Sequence, residues 1–282
     1  AVPGSPLQRE KSPSPQVQAN LEAFYGLDKP LIQQYGIYLK NLLKFDLGIS
    51  MKKRFYSVNK IIADSFGFSL RLGIVSIITS VAGGCVLGII AALHHRKFLD
   101  NLAMVLAVIG LAVPSMVMAP FLQYLFAVKI RLFDVAGLER PLDYVLPTIA
   151  LSSVSIAFIA RLIRTTMIEV LHADFIRTAK AKGLPGHLIV WRHALRNSML
   201  PVVTYLGYLI AGVITGSVII EAIFAIPGMG KFFVQSVVDR DYPLIMGITV
   251  FYAVLLMVCR FLADIAYALV DPRMRNFTKK VA

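Results

Sequence analysis

Residues 72–93 read LGIVSIITSVAGGCVLGIIAAL, without one Asp, Glu, Lys or Arg. A helix needs about 20 mostly apolar residues to cross the hydrocarbon core of a bilayer, and this stretch is long enough. Four more uncharged stretches follow, at 102–128, 144–160, 197–220 and 242–259. The third and fifth are short. Leu142 and Leu162, or Phe261 and Leu262, extend them past Arg161 or Arg260, whose long stems let the charge snorkel. The whole chain of 282 residues is 57% apolar and 16% charged, against roughly 25% charge in an average soluble domain. Its mean hydropathy is +0.70. We therefore expect an all-α, polytopic membrane protein with five spanning helices between residues 69 and 270.

The two cysteines, Cys85 and Cys259, both sit inside apolar runs, where a small packing role fits better than a disulfide or a metal pair. A net charge of +13 also fits a nucleic-acid binder, but the basic residues fall between and after the apolar runs rather than on one stripe. Membrane topology accounts for them, because Lys and Arg concentrate in cytoplasmic loops. His94-His95-Arg96-Lys97 lies after the first run, residues 161–196 carry seven Lys or Arg against two acids, and the tail 271–282 carries four against one. These three face the cytoplasm on this rule. The loops 129–143 and 227–243 are balanced and face outward.

An odd number of spans with a cytoplasmic C-terminus makes residues 1–68 extracytoplasmic. The chain starts at Ala1 with no basic and apolar leader, so we expect a further spanning helix before it. Lys52-Lys53-Arg54 argues mildly against this placement. Pro3, Pro6, Pro13 and Pro15 make an extended start. From Pro30, Leu31, Tyr35, Tyr38, Leu42 and Phe45 recur every three or four positions, the spacing of an amphipathic helix. Such a helix lies on the membrane surface or a partner, or packs on its own subunit; the spacing favours neither.

Two GxxxG patterns, Gly84 to Gly88 and Gly212 to Gly216, predict close helix approach. Pro114 and Pro120 fall within the second run, where each removes a backbone hydrogen bond, so a kink that lines a pathway competes with simple accommodation. Arg260 and Asp264 are four apart on the last helix and are expected to form a structural ion pair. Glu221 ends the fourth run as a candidate gate or subunit contact, with interfacial solvation as the alternative.

Residues 161–201 read RLIRTTMIEVLHADFIRTAKAKGLPGHLIVWRHALRNSMLP. Here a helix leaves the third span, breaks at Gly183-Leu184-Pro185-Gly186, and a basic segment re-enters at Leu200-Pro201. Ile168, Leu171, Phe175 and Ile176 mixed with Arg177, Lys180 and Lys182 suit a surface that meets another protein. A loop that only fixes topology explains the charges but not those apolar residues.

Arg177-Thr178-Ala179, Gly183 and His193-Ala194-Leu195-Arg196-Asn197 with Leu200-Pro201 resemble the EAA loop of ABC-importer permeases, in the dipeptide, oligopeptide and nickel variant. Tyr25-Gly26-Leu27-Asp28-Lys29-Pro30, Asp46-Leu47-Gly48, Val113-Pro114-Ser115 and the stretch from Glu221 through Pro227-Gly228-Met229-Gly230 extend the likeness to the B-type subunit of Firmicutes oligopeptide permeases. The resemblance implies a type I permease fold whose first family helix is missing here. It implies an ATPase-coupling loop made by Asp174, Arg177, Thr178, Ala179, Lys180, Ala181, Lys182 and Gly183, with Arg177 standing where many members carry Glu. The implied partners are a C-type permease, two cytoplasmic ATPase subunits that carry ATP and Mg, an extracytoplasmic peptide-binding lipoprotein, and a peptide substrate. No cofactor is implied for this chain, and its expected place is a bacterial plasma membrane.

The one near match to a P-loop, residues 225–232, has Ala225 for the first Gly and Phe232 for the Ser or Thr after Lys231. No HExxH, no GxSxG and no paired aspartates within a span support an intramembrane enzyme. Competing transport readings are a dipeptide or nickel-chelate importer and, from another class, a stand-alone channel or secondary transporter.

Overall fold

The computed structural model describes residues 15–53, 56–138 and 140–270. The proline-rich start at 1–14, Arg54 and the basic tail 271–282 lie outside the described residues. The described chain is helical, and its one strand-like pairing is an isolated antiparallel bridge between Ile49 and Ser57.

Two short helices come first, α1 (Pro15–Tyr25) and α2 (Leu31–Leu42). Gly26, at φ +67°, turns the chain between them in a region that costs a glycine nothing. The long α3 (Val58–Leu93) starts where the Ser57 hydroxyl accepts the Lys60 N–H, an N-cap that satisfies an orphan donor. It thus begins well before residue 69 and joins the polar segment to the first apolar run in one rod of about 54 Å.

The second run does not make one straight helix. α4 (Phe98–Ala112) and α5 (Ser115–Leu122) meet at 105° across Val113 and Pro114. Pro114 has no N–H to continue the helix, and its ring forces Val113 into an extended conformation, at φ −93° and ψ 114°. Pro120 lies inside α5 without breaking it, ahead of a wide π-helical turn at Gln123–Lys129.

A 3-10 turn at Pro141–Tyr144 leads into α6 (Val145–Leu171). α7 (Asp174–Ala181) follows, then the short α8 (Gly186–Leu188), a π-helical turn at Ile189–Leu195 and the short α9 (Arg196–Ser198). α10 (Leu200–Ile223), α11 (Met229–Asp239) and α12 (Tyr242–Val270) complete the chain. All five uncharged runs are therefore helical. α3, α6 with its leading turn, and α12 are each long and apolar enough to cross a membrane, and the bent α4–α5 pair makes a fourth if it is one crossing. α10 carries the remaining run.

α6 is the centre of the bundle, against α3 on one side and α4, α5 and α10 on the others. The Gly84/Gly88 pattern explains how close α3 comes. A Cβ on Gly84 would stand 2.6 Å from the Ile159 side chain, and one on Gly88 2.7 Å from the Ala160 carbonyl oxygen. Around this seam Leu72, Ile159, Ile163, Leu209 and Ile220 are buried in one apolar cluster. A second cluster joins Val58, Ile61 and Ile62 of α3 with Met229 of α11 and Leu244 and Ile248 of α12. The second GxxxG behaves differently. Among the described residues, and apart from its own helix backbone, no atom lies within 4 Å of a Cβ built on Gly212, and the surroundings of Gly216 are outside the described residues.

Outside these seams the helices present broad apolar faces, among them Val105, Val117, Phe121, Val254, Met257 and Phe261. A water-soluble monomer does not carry apolar surface on this scale; lipid or a further apolar surface covers it.

Candidate functional site

The loop between α6 and α10 is built as a rigid tip. α7 turns its Ile176 and Ala179 inward onto Ile189, so the helix after the break clamps the helix before it. Gly183, at φ +76°, makes the reversal, and a Cβ there would meet no atom within 4 Å. Proline at 185 and the start of α8 at Gly186 send the chain back.

The candidate coupling residues are thus gathered on one projecting turn, and they divide by face. Ala179 is buried, while Asp174, Arg177, Thr178, Lys180, Ala181, Lys182 and Gly183 are exposed. Arg177 and Asp174 approach to 3.6 Å, an open surface pair of little energetic weight. Of the four apolar residues expected to meet a partner, only Phe175 is exposed. Ile176 is buried, and Ile168 and Leu171 pack towards Met167 and Ala194. The missing part of the apolar surface comes from beyond the break, where Leu184, Leu188 and Trp191 are exposed, Trp191 at 63%. The spacing of the helix before the break gave no sign of them, because they lie beyond the reversal at Gly183.

At the root of this tip lies a charged cluster that periodicity did not expose. Arg164 of α6 grips Asp100 of α4 with both ends of its guanidinium, Nε to Oδ1 at 2.6 Å and Nη2 to Oδ2 at 2.8 Å. Asp100 is 2% exposed and also accepts the Arg96 N–H at 2.9 Å, which secures the first turn of α4. His95 Nδ1 stands 3.4 Å from the same carboxylate. The one sequence signal was an acid just ahead of an apolar run, which marks a helix N-terminus but names no partner.

Glu221 is neither solvated at an interface nor presented to another subunit; it is fully buried. Its Oε2 accepts the Gly230 N–H at 2.7 Å. The Ser69 hydroxyl of α3 lies beside it and accepts the Met229 N–H at 2.9 Å. Two helices thus satisfy orphan donors at the start of α11. The fit demands glycine. A Cβ on Gly228 would stand 2.3 Å from the Glu221 carboxylate, and one on Gly230 2.5 Å from the Val218 Cα.

Asp241 plays a similar part at the next junction. Its carboxylate, 1% exposed, accepts the Leu244 N–H at 3.4 Å as the cap of α12. It also accepts the Met51 N–H at 3.1 Å and the Ser50 hydroxyl, so the loop before α3 is fastened to the start of α12.

Arg260 and Asp264 do not pair. The Arg260 guanidinium lies 5.3 Å from the centre of the Tyr208 ring of α10, and both charged residues are exposed. An exposed ion pair four residues along the helix contributes little, so a stack on Tyr208 across the α10–α12 seam competes with it readily. Pro114 is exposed at the elbow between α4 and α5. Among the described residues no three His, Cys, Asp or Glu side chains gather as a metal site.

Comparison with known proteins identifies the architecture. Residues 84–276 match the family model described as binding-protein-dependent transport system inner membrane component. The chain is 52% identical over 278 residues to the dipeptide transport system permease protein DppB of Bacillus subtilis, covering 99% of this chain and 90% of that one. It is 43% identical to the oligopeptide transport system permease protein OppB of Escherichia coli K12, covering 97% and 90%. The methionine ABC transporter MetNI, solved in inward-facing conformations, is 16% identical with a TM-score of 0.62, over 75% of this chain and 97% of that one. An amino acid ABC transporter solved with histidines superposes with a TM-score of 0.58 at 17% identity, over 75% and 95%. These structures share the helical fold over three quarters of this chain. The chain therefore belongs to the family of binding-protein-dependent transport system inner membrane components, as a multi-pass ABC-importer permease.

Proposed function

We propose that this permease forms half of an ATP-driven pathway that imports peptides, and that the tip around Gly183 is its contact with a separate ATPase subunit. The observation that carries this reading is the composition of the tip. Phe175, Leu184, Leu188 and Trp191 are exposed among Arg177, Lys180, Lys182 and Arg192, on a helical reversal held rigid by Ile176, Ala179 and Ile189. A lever that exposes apolar and basic side chains together suits a protein groove better than lipid or water. Its basic residues favour a cytoplasmic position, and the basic tail favours the same side for the C-terminus, on the charge rule. The ATPases supply nucleotide hydrolysis; this chain supplies the lever and the wall.

The two permease relatives handle dipeptides and oligopeptides by name, so peptide cargo is the shared inference. We place this chain with an oligopeptide importer; the higher identity to the Bacillus dipeptide permease favours dipeptides as the second reading. The other subunits we assign are a C-type permease, two ATPases and an extracytoplasmic lipoprotein.

The test is purification of the intact complex in mild detergent, reconstitution into vesicles, and measurement of ATP hydrolysis with uptake of labelled di- and pentapeptides. Gly183→Trp is expected to leave membrane insertion intact, keep basal hydrolysis within about threefold, and reduce uptake by more than about tenfold. Full uptake by that variant removes the tip from the mechanism. Uptake of neither peptide by the wild type ends the cargo reading.

A further inference from the structure

α2 packs with the less usual side inward. Gln34, Tyr38, Asn41 and Leu42 are half-buried, while Leu31, Ile32, Tyr35, Leu39 and Leu43 are exposed, Ile32 at 85%. At 100° per residue those five exposed side chains fall within one arc of about 120°. The other side of the helix meets its own chain: the Gln34 side chain donates to the Lys29 carbonyl at 2.8 Å, and Tyr38 and Asn41, with Ile37 and the arc's edge residue Leu31, line a cavity of about 870 Å³. Burial there raises the Tyr38 phenol above its ordinary value. A surface helix of a soluble protein presents the opposite face to solvent.

The fold also fixes how deep this helix lies. The far wall of the same cavity is Tyr242, Pro243 and Met246, the first turn of α12. The uncharged run of α12 starts at Tyr242. α2 is therefore level with the point where a spanning helix enters the hydrocarbon, at the end of the bundle opposite the Gly183 tip. α3, at about 54 Å, outruns a hydrocarbon core of about 30 Å, and its first turns stand at that same end.

We propose that α2 is an interfacial helix whose open arc, from Leu31 through Tyr35 and Leu39 to Leu43, seats in the headgroup layer and upper acyl chains of the bilayer. Lipid is the occupant for two reasons. The arc has no charged group and one polar atom, the Tyr35 hydroxyl, as aromatic residues at membrane interfaces have. The second is its level beside the first turn of α12, where that span enters the hydrocarbon. The helix then braces the polar segment ahead of α3 on the membrane, independently of which cargo the permease carries.

The test uses the full permease chain, purified without other subunits, in vesicles of mixed phosphatidylcholine and phosphatidylglycerol. Trp191→Phe removes the one native tryptophan, and Tyr35→Trp, Leu39→Trp or Gln33→Trp supplies a probe. Lipids brominated near the top of the acyl chain are expected to quench the probes at 35 and 39 at least about twofold more than the probe at 33 on the opposite face. A nitroxide at Leu39, in a background lacking Cys85 and Cys259, is expected to be relaxed more by oxygen than by a nickel chelate, and it covers the case of tryptophan variants that fold poorly. Equal weak quenching with ready access to acrylamide would place the arc in water. Equal weak quenching with no access to acrylamide would place it under protein. Either result overturns the proposal.

Discussion

The Glu221 carboxylate accepts the Gly230 N–H at 2.7 Å in the interior of the bundle, so the last turn of α10 caps the first turn of α11. Two helices that a tight turn at residues 224–228 would otherwise leave free to splay are thereby held at a fixed angle. The second oxygen, Oε1, is buried without a hydrogen-bond partner, so one oxygen carries the backbone latch.

That asymmetry separates two substitutions. Glu221→Ala strands the Gly230 N–H in an apolar setting and is expected to cost about 1–3 kcal/mol. Glu221→Gln keeps an acceptor for that N–H and is expected to cost less than half as much. Thermal unfolding of the detergent-purified protein compares them; equal losses would remove the hydrogen bond as the cause.

The two GxxxG patterns are expected to respond differently. Gly88→Ala places a methyl 2.7 Å from the Ala160 carbonyl and forces α3 away from α6, at about 1–3 kcal/mol. Gly212→Ala meets no atom of another element within 4 Å among the described residues and is expected to leave the isolated subunit as stable as the wild type. Unfolding midpoints of the single subunit make the comparison.

Asp100 and Arg164 form a pair with one partner almost wholly enclosed, so removing either alone leaves a stranded charge. Asp100→Asn or Arg164→Gln is expected to destabilise by about 3–5 kcal/mol, and the double variant by clearly less than their sum. A thermodynamic cycle over the four proteins measures the coupling. Strict additivity would show that the two contacts act separately.

Trp191→Ala is expected to change no folding midpoint beyond about 0.5 kcal/mol, because its side chain is mostly outside the fold. As an aromatic anchor in the contact proposed above, its loss is expected to weaken the ATPase interaction by about tenfold or more. Titration of purified ATPase against reconstituted permease reads this out, and unchanged affinity would move the contact elsewhere on the tip.

Asp241 fastens the loop at Ser50 and Met51 to the start of α12. Asp241→Ala removes both the helix cap and the loop anchor, at about 1–2 kcal/mol for the cap alone. Amide exchange of residues 47–52 is expected to rise at least about tenfold while the α3–α6 seam stays protected.

What the sequence determined by itself was written in local rules. Uncharged runs such as 72–93 set the helices and the membrane, because a bilayer offers no partner for backbone groups or charge. The Gly183-Leu184-Pro185-Gly186 break and the Pro114 elbow were legible as well, since glycine and proline act on their own backbone. The tertiary structure decided everything that depends on which faces meet. Arg260 sits four residues from Asp264 yet stacks on Tyr208; Glu221 lies at the end of an apolar run yet is sealed behind Gly228 and Gly230; Asp100 and Arg164, sixty-four positions apart, clasp each other. Periodicity tells which side of a helix is apolar, but the partner of a side chain follows from how close two helices can come, and that distance was set by glycines whose neighbours no local rule can name.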